Sequence, residues 1–195
     1  MGYPKALLPL GDHTFLTHIL KTAQEIGLSN PVVILGKAAD LIQPSIREWP
    51  ALVRINRDPD RGQLSSIKLG LSSLQASAQA GMIWPVDQPA VSEDLVRKLV
   101  QLFIQSEPMI AYPKYGDKRG HPAIFHRALF QEFTATPLKE GPKNILLRHQ
   151  QDTAELPTTE QAAVQDIDTP AEYEALTGES VKSALERMKL ITNDE

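Results

Sequence analysis

Short runs rich in β-branched residues alternate along this chain with stretches of helical periodicity, and that alternation leaves few folds open. PVVILG (31–36), LVRIN (52–56), GMIWPVD (81–87), MIAYP (109–113) and AAVQDID (162–168) each read as a buried strand. Between them lie helical stripes. Phe15, Leu16, Ile19, Leu20, Ala23 and Ile26 share one face over 14–28, with Thr14 placed to cap the start and Gly27 to end it. A weaker helix runs to about Trp49, disturbed by Pro44. Leu64, Ile67, Leu71 and Leu74 trace the next stripe. Ser92 caps another helix, with Glu93 and Asp94 in its first turn and Leu95, Val96, Leu99, Val100 and Phe103 on its apolar face. HPAIF leads into a short helix. Thr169 and Pro170 open a further one, and the last residues read as a polar helix with a frayed tail. Strand and helix in alternation predict an α/β fold with a mainly parallel sheet.

Composition narrows the chemistry. The 195 residues are 42% hydrophobic, enough for a core, and the formal net charge of -4 argues against general affinity for nucleic acid or an anionic membrane. There is no cysteine, which removes disulfides, thiolate catalysis and Cys-based metal sites. No apolar stretch reaches the ~18 residues that span a bilayer. No basic segment followed by an apolar one opens the sequence, so a cytoplasmic protein is expected.

Ligands of such sheets bind beyond the carboxyl ends of the strands, where Gly36, Asn56, Asp87, and then Asp166 with Asp168 end successive strands. Asp87, in WPVDQP, reads either as a carboxylate holding a hard cation or as a turn aspartate. Gly62, Gln63, Leu64, Ser65 and Ser66 lie on a helix start. They read either as an anion site or as a helix capped by one of the serines. Arg119, Gly120, His121 and Pro122 form an unusual loop cluster, in which Arg119 can grip a phosphate and His121 can bond a substrate. The alternative is a surface arginine beside a packed histidine. Lys5 follows Pro4 and is either a phosphate ligand or an ordinary surface lysine. His13, His18, His126 and His149 show no metal-ligand pattern.

Taken in order, MGYPKALLPLGDHTFLTHIL, GLSNPVVILG, NRDPDRGQLSSIKLGL, WPVDQPAVS, GHPAIF and DIDTPAEY resemble the nucleotidyltransferases that attach a nucleotide to molybdopterin. The resemblance covers roughly 1–177, leaving 178–195 as a C-terminal helix and tail. Its GHP segment is more similar to the cytidylyltransferase branch than to the guanylyltransferase branch. It implies a Rossmann-like three-layer sandwich and a magnesium-dependent transfer of CMP from CTP, or of another nucleotide, to a molybdopterin phosphate with release of pyrophosphate. A molybdenum hydroxylase would receive the product. Lys5 would contact the triphosphate, Asp87 would hold Mg2+, and Asp168 would be a second metal contact. Asn56 and the segment from Gly62 to Ser66 would lie along the nucleotide, and Arg119, Gly120, His121 and Pro122 would face the pterin. A carrier that binds the pterin without turnover, and a transferase acting on a sugar phosphate, are the competing expectations.

The family resembled begins with a strand and a loop of the form LAAGxSxRMG, of which this chain keeps Met1 and Gly2. The missing strand would sit centrally, between the strand ending at Gly36 and the one ending at Asp87. The expectation is an internal methionine at position 1, with the true start upstream. A natural truncation, or a strand supplied by a partner, would leave the same sequence.

Overall fold

Thr14 starts the first long helix as its sequence position predicts. Its Oγ1 accepts from the backbone N–H of Thr17 at 3.2 Å, while the Thr17 hydroxyl oxygen accepts from the Thr14 N–H at 2.8 Å. This reciprocal cap satisfies two donors that a helix end otherwise leaves unpaired. The computed structural model that shows this describes residues 2–28 and 30–193, with side chains through Met188. Met1, Ser29 and the expected frayed tail beyond Asn193 lie outside the described residues. The helix, α1 (Phe15–Glu25), is entered through a hairpin of β1 (Pro9–Leu10) and β2 (His13–Thr14). Leu8 and Phe15 are fully buried against Tyr173, whose ring stacks on Phe15 at 5.9 Å and whose hydroxyl donates to Pro9 O at 2.8 Å. The front of the chain is thus fastened to its end, since Tyr173 lies in α7 (Pro170–Thr177) and Ala184 of α8 (Val181–Asn193) joins the same apolar cluster.

The remaining strands fall into two ladders. β3 (Val32–Leu35) pairs in parallel with β4 (Leu52–Ile55). α2 (Ala39–Ile42) follows β3 and tightens into a 3-10 turn from Gln43 to Ile46, where Pro44 cannot donate an α-helical hydrogen bond. After β4 come α3 (Gln63–Ser73), β5 (Ala80–Ile83) and α4 (Glu93–Ser106). Ser92 Oγ caps α4 by accepting from Leu95 N at 3.1 Å. β6 (Ile110–Tyr115), the short β7 (Lys118–Arg119) and β8 (Ala123–His126) follow, then α5 (Phe130–Ala135), α6 (Lys143–Arg148) and β9 (Thr153–Pro157). β8 lies antiparallel between β5 and β6, and β9 runs parallel to β6. Among the described residues, β3 and β5 belong to separate ladders.

Two expectations change here. The sheet is mixed rather than mainly parallel, because β8 folds back between β5 and β6. AAVQDID is also not a strand. Gln161–Val164 is a 3-10 turn, and the backbone in and beyond it makes single hydrogen bonds to other segments. Ala163 O accepts from His121 N at 2.8 Å, and Ile167 N donates to Asp87 O at 2.8 Å. The last strand is instead TAELP, β9.

Helices cover both faces of the larger ladder, and the two-residue period of the strands explains why. Ile110, Tyr112, Ala123 and Phe125 point to a core with Leu64, Ile67 and Leu71 of α3, Phe133 of α5 and Ile145 of α6. The intervening Ala111 and Ile124 point to Leu99 of α4 on the other side. α1 and α2 similarly cover Val33 and Leu35 of β3. The result is a three-layer α/β sandwich.

Glu132 joins α5 to the end of α6, pairing with His149 Nε2 and accepting from Arg148 Nε, both at 2.6 Å. Burial raises the carboxyl pKa, but these bonds lower it more, and it ends below its ordinary 4.5. Its contribution to stability is therefore present above that value and lost as pH falls through the lowered one. Glu132→Gln should cost roughly 1 kcal/mol at neutral pH. In urea unfolding, the gap between variant and wild type should close as pH falls through the lowered pKa of Glu132.

Candidate functional site

Lys5 is positioned by its neighbours. Pro4 opens a single 3-10 turn, Lys5–Leu7, and Leu8 N donates back to Lys5 O at 3.0 Å. Ala6 and Leu8 are buried, so the turn is anchored on its apolar side. The Lys5 amine reaches two acids distant in sequence, donating to Asp87 Oδ2 at 3.4 Å and to Asp168 Oδ1. Asp87 stands on the turn that ends β5, and Asp168 stands just ahead of the Thr169 cap of α7. The Lys5 and Asp87 side chains are 26% and 32% exposed and Asp168 is 60% exposed, so the cluster opens to solvent. Partial burial lowers the Lys5 pKa. The hydrogen bond to Asp168 and the charge of Asp87 outweigh that, and the net shift is upward.

Two more residues crowd this rim. Gln88 is buried, and its Nε2 donates to Asp166 Oδ1 at 2.7 Å. His121 lies close enough to Asp166 and Asp87 to feel both charges, but burial dominates and lowers its pKa, so the ring is neutral at physiological pH. Its Nδ1 is buried without a hydrogen-bond partner among the described residues. Three carboxylates therefore meet one lysine, one neutral imidazole and one amide, an excess of negative charge suited to a cation. Among the described residues no group of three or more His, Cys, Asp or Glu could hold a metal alone. Asp87 and Asp168 instead match a hard divalent ion that takes one or two carboxylates and completes its shell with phosphate oxygens and water.

A second group sits at the end of β4. Asn56 continues the ladder, its N–H donating to Leu35 O at 2.8 Å. Its Nδ2 donates to Ser65 Oγ at 2.8 Å and Ser66 Oγ at 2.9 Å, and its Oδ1 accepts from Asp58 N at 3.0 Å. Neither serine caps the helix. Gly62 is the N-cap residue, at φ +91°, a conformation that favours glycine. Gln63 is exposed, while the Leu64 side chain is 1% exposed in the core, so only its backbone faces the rim. A cavity of about 410 Å³ adjoins this group, lined by Asn56 and Ser65 and by the cationic Arg57, Arg61 and Lys68. The Asn56–Ser65–Ser66 network shares no hydrogen bond with Lys5, Asp87 or Asp168.

The third group is the end of β7 and the loop after it. The Arg119 guanidinium is exposed and lies over the Tyr112 ring, 5.6 Å from its centroid. Gly120 N donates to Pro113 O at 2.7 Å. Pro122 is buried and follows a cis peptide bond. The glycine is required by space, since a Cβ there would lie 2.5 Å from Ala163 O. Gly120→Ala must push apart the loop and the 163 segment. It should destabilise the protein by ~1–3 kcal/mol, read as a fall in thermal midpoint, and an unchanged midpoint would contradict this packing.

The structure thus joins Lys5, Asp87 and Asp168 by direct contact and His121 by proximity. It keeps the Asn56 group as a separate network and leaves Arg119 stacked on Tyr112. Asp166, which the sequence marks with Asp168 at the end of AAVQDID, joins the site, and so does Gln88, which was not expected. The only sequence signal for Gln88 is its place beside Asp87 in DQP.

The same arrangement of strands and helices occurs in proteins already described. The family described as the MobA-like NTP transferase domain matches residues 1–153. A protein of Mycobacterium ulcerans (strain Agy99) named "Probable molybdenum cofactor guanylyltransferase" is 25% identical over 90% of this chain and 86% of its own length. The bifunctional protein GlmU of Psychrobacter sp. (strain PRwf-1) is 26% identical over 55% of this chain, which spans only 23% of GlmU. Rv0371c of Mycobacterium tuberculosis H37Rv superposes with a TM-score of 0.79 at 26% identity, covering 92% of this chain and 91% of that one. A further crystal structure of Rv0371c, in complex with manganese, superposes with a TM-score of 0.76 at 25% identity over 90% and 91% of the two chains.

Proposed function

Because the chain belongs to the MobA-like NTP transferase family, we propose that it transfers a nucleoside monophosphate from a nucleoside triphosphate to the phosphate of a molybdopterin. An oxygen of the pterin phosphate attacks the α-phosphorus, the bond between the α-phosphorus and the bridging oxygen breaks, and pyrophosphate leaves with that electron pair. The observation that carries this reading is the Lys5 amine lying between the Asp87 and Asp168 carboxylates at the rim of the sheet.

Each residue has a role in that step. Lys5 places a compact positive charge where the leaving pyrophosphate gains negative charge. Asp87 and Asp168 hold the divalent ion, magnesium or manganese, which supplies Lewis-acid charge neutralisation when bound. Gly62 exposes the first N–H groups of α3 to an anion, and Gln63, Ser65, Ser66 and Asn56 border the nucleotide. Arg119, Gly120, His121 and Pro122 face the pterin, with the neutral His121 ring able to donate or accept a hydrogen bond. The attacking phosphate is already an anion, so the step needs alignment rather than a base.

The names of the mycobacterial relatives favour GTP as the donor. CTP is the second reading, favoured by the GHP segment at Gly120, His121 and Pro122. Among the described residues no helix is long and apolar enough to cross a membrane. Delivery of the product to a molybdenum hydroxylase in the cytoplasm fits a protein of this kind. The test offers purified protein GTP, CTP or ATP with Mg2+ or Mn2+ and molybdopterin, and measures pyrophosphate. Release with GTP or CTP that needs molybdopterin supports the proposal. Release that needs a sugar phosphate instead, or no release at all, defeats it.

A further inference from the structure

The two acids that meet Lys5 lie 81 positions apart, and among the described residues neither carboxylate has a hydrogen-bond donor other than the lysine. Their separation is therefore set by the backbones that carry them. Those backbones are joined by two adjacent cross-links. Ile167 N donates to Asp87 O at 2.8 Å, and Gln88 Nε2 donates to Asp166 Oδ1 at 2.7 Å. Residues 87 and 88 thus meet 167 and 166, one backbone bond followed by one side-chain bond.

We propose that Gln88 is a positioning residue, whose amide ties the turn carrying Asp87 to the segment carrying Asp168 and so sets the spacing of the two carboxylates. The inference rests on the proposed metal-dependent nucleotidyl transfer. Gln88 is itself held firmly. Its N–H donates to Pro85 O at 3.2 Å, closing the turn, and its O accepts from Trp84 Nε1 at 2.9 Å. Its side chain is 5% exposed.

The orientation of the amide is settled by chemistry. An ionised aspartate only accepts, so the NH2 end must face Asp166. The Oε1 end then faces away, and it is buried with no donor among the described residues. A buried acceptor without a partner is costly and rare in folded proteins, so the bond to Asp166 holds the amide against an opposing penalty. The residue type also suits the charge. A lysine here would add a rival cation beside the metal carboxylates, and a glutamate would add a fourth acid facing Asp166. A glutamine supplies a donor and changes no charge.

The experiment compares Gln88→Glu, Asp166→Asn and the double variant with wild type, reading the KM for Mn2+ and kcat for pyrophosphate release, and Mn2+ affinity by electron paramagnetic resonance. In Gln88→Glu two carboxylates face each other, and the KM and Kd for Mn2+ should rise about 10–100-fold, as for lost outer-shell support of a metal site. At saturating Mn2+, kcat should stay within about threefold of wild type, because the ligands themselves are intact. Asp166→Asn alone keeps an acceptor for the Gln88 amide and should cost only a fraction of that. The double variant restores a donor–acceptor pair with the roles exchanged, and should recover most of the Mn2+ affinity. Should Gln88→Glu fail to fold, Gln88→Met, which removes the donor without adding charge, takes its place with the same expected loss.

A fall in kcat with an unchanged KM for Mn2+ would overturn the proposal, as would a double variant no better than Gln88→Glu. Damage from Asp166→Asn equal to that from Gln88→Glu would also overturn it, by making Asp166 a ligand in its own right. A wild-type protein that neither binds Mn2+ nor releases pyrophosphate would instead defeat the proposed function itself.

Discussion

Asparagine in place of Asp87 should lower the rate of pyrophosphate release by about 10²–10³-fold, the usual loss when one electrostatic stabiliser is removed from a preorganised site. The shape of the side chain is kept, and so is the backbone bond from Ile167 N to Asp87 O. What is lost is one of the two charges aimed at the same cation. Stability should hardly change, because the partner lysine keeps Asp168 and because a part-exposed ion pair is worth only ~0–1 kcal/mol. Rate and thermal midpoint, measured on the same preparation, should therefore separate. A variant that keeps near wild-type turnover would remove Asp87 from the chemistry. A variant that loses turnover and stability together would recast it as a structural turn residue.

Lys5→Met should separate two quantities in opposite directions. Turnover should fall roughly 10²-fold, since the leaving pyrophosphate loses its compact cation. Binding of Mn2+ to the nucleotide-free protein should tighten, because the amine now occupying both carboxylates no longer competes for them. The charge state of Lys5 supports this competition across ordinary pH. Its pKa lies above its ordinary 10.5, so the ion pairs contribute fully below that value and are lost only as pH rises through the raised one. Titration of Mn2+ with and without nucleotide reads both effects. Weaker Mn2+ binding by Lys5→Met would show that the lysine supports the acids rather than standing in their way.

Much of the architecture was legible in the sequence because its signals are local. PVVILG, LVRIN and MIAYP are strands, and Thr14, Ser92 and Thr169 are helix caps, each decided within a few residues. Strand order is not local. Nothing in HPAIF states that β8 will run antiparallel between β5 and β6. TAELP carries Glu155 and ends in a proline, so its strand signal is weak. It is stabilised as a strand only by pairing with β6, where Glu155 accepts from Tyr112 Oη at 2.8 Å and from Lys114 Nζ at 2.5 Å. AAVQDID misleads for the converse reason, being apolar enough for a strand while its backbone bonds go to His121 and Asp87. At the site, Lys5 and Asp87 were marked by the motifs around them, and Asp166 and Asp168 by their place at the end of AAVQDID, a position that holds although the segment is not a strand. The bond from Gln88 to Asp166 spans 78 positions and has no local signature.

The sharpest check on a shared metal and phosphate site is the position of manganese in crystals grown with Mn2+ and nucleotide, read from its anomalous scattering. The expected peak is coordinated by Asp87 and Asp168, with the Lys5 amine moved off both carboxylates and onto the phosphates. A peak bound elsewhere, with Lys5 still paired to both acids, would contradict that site.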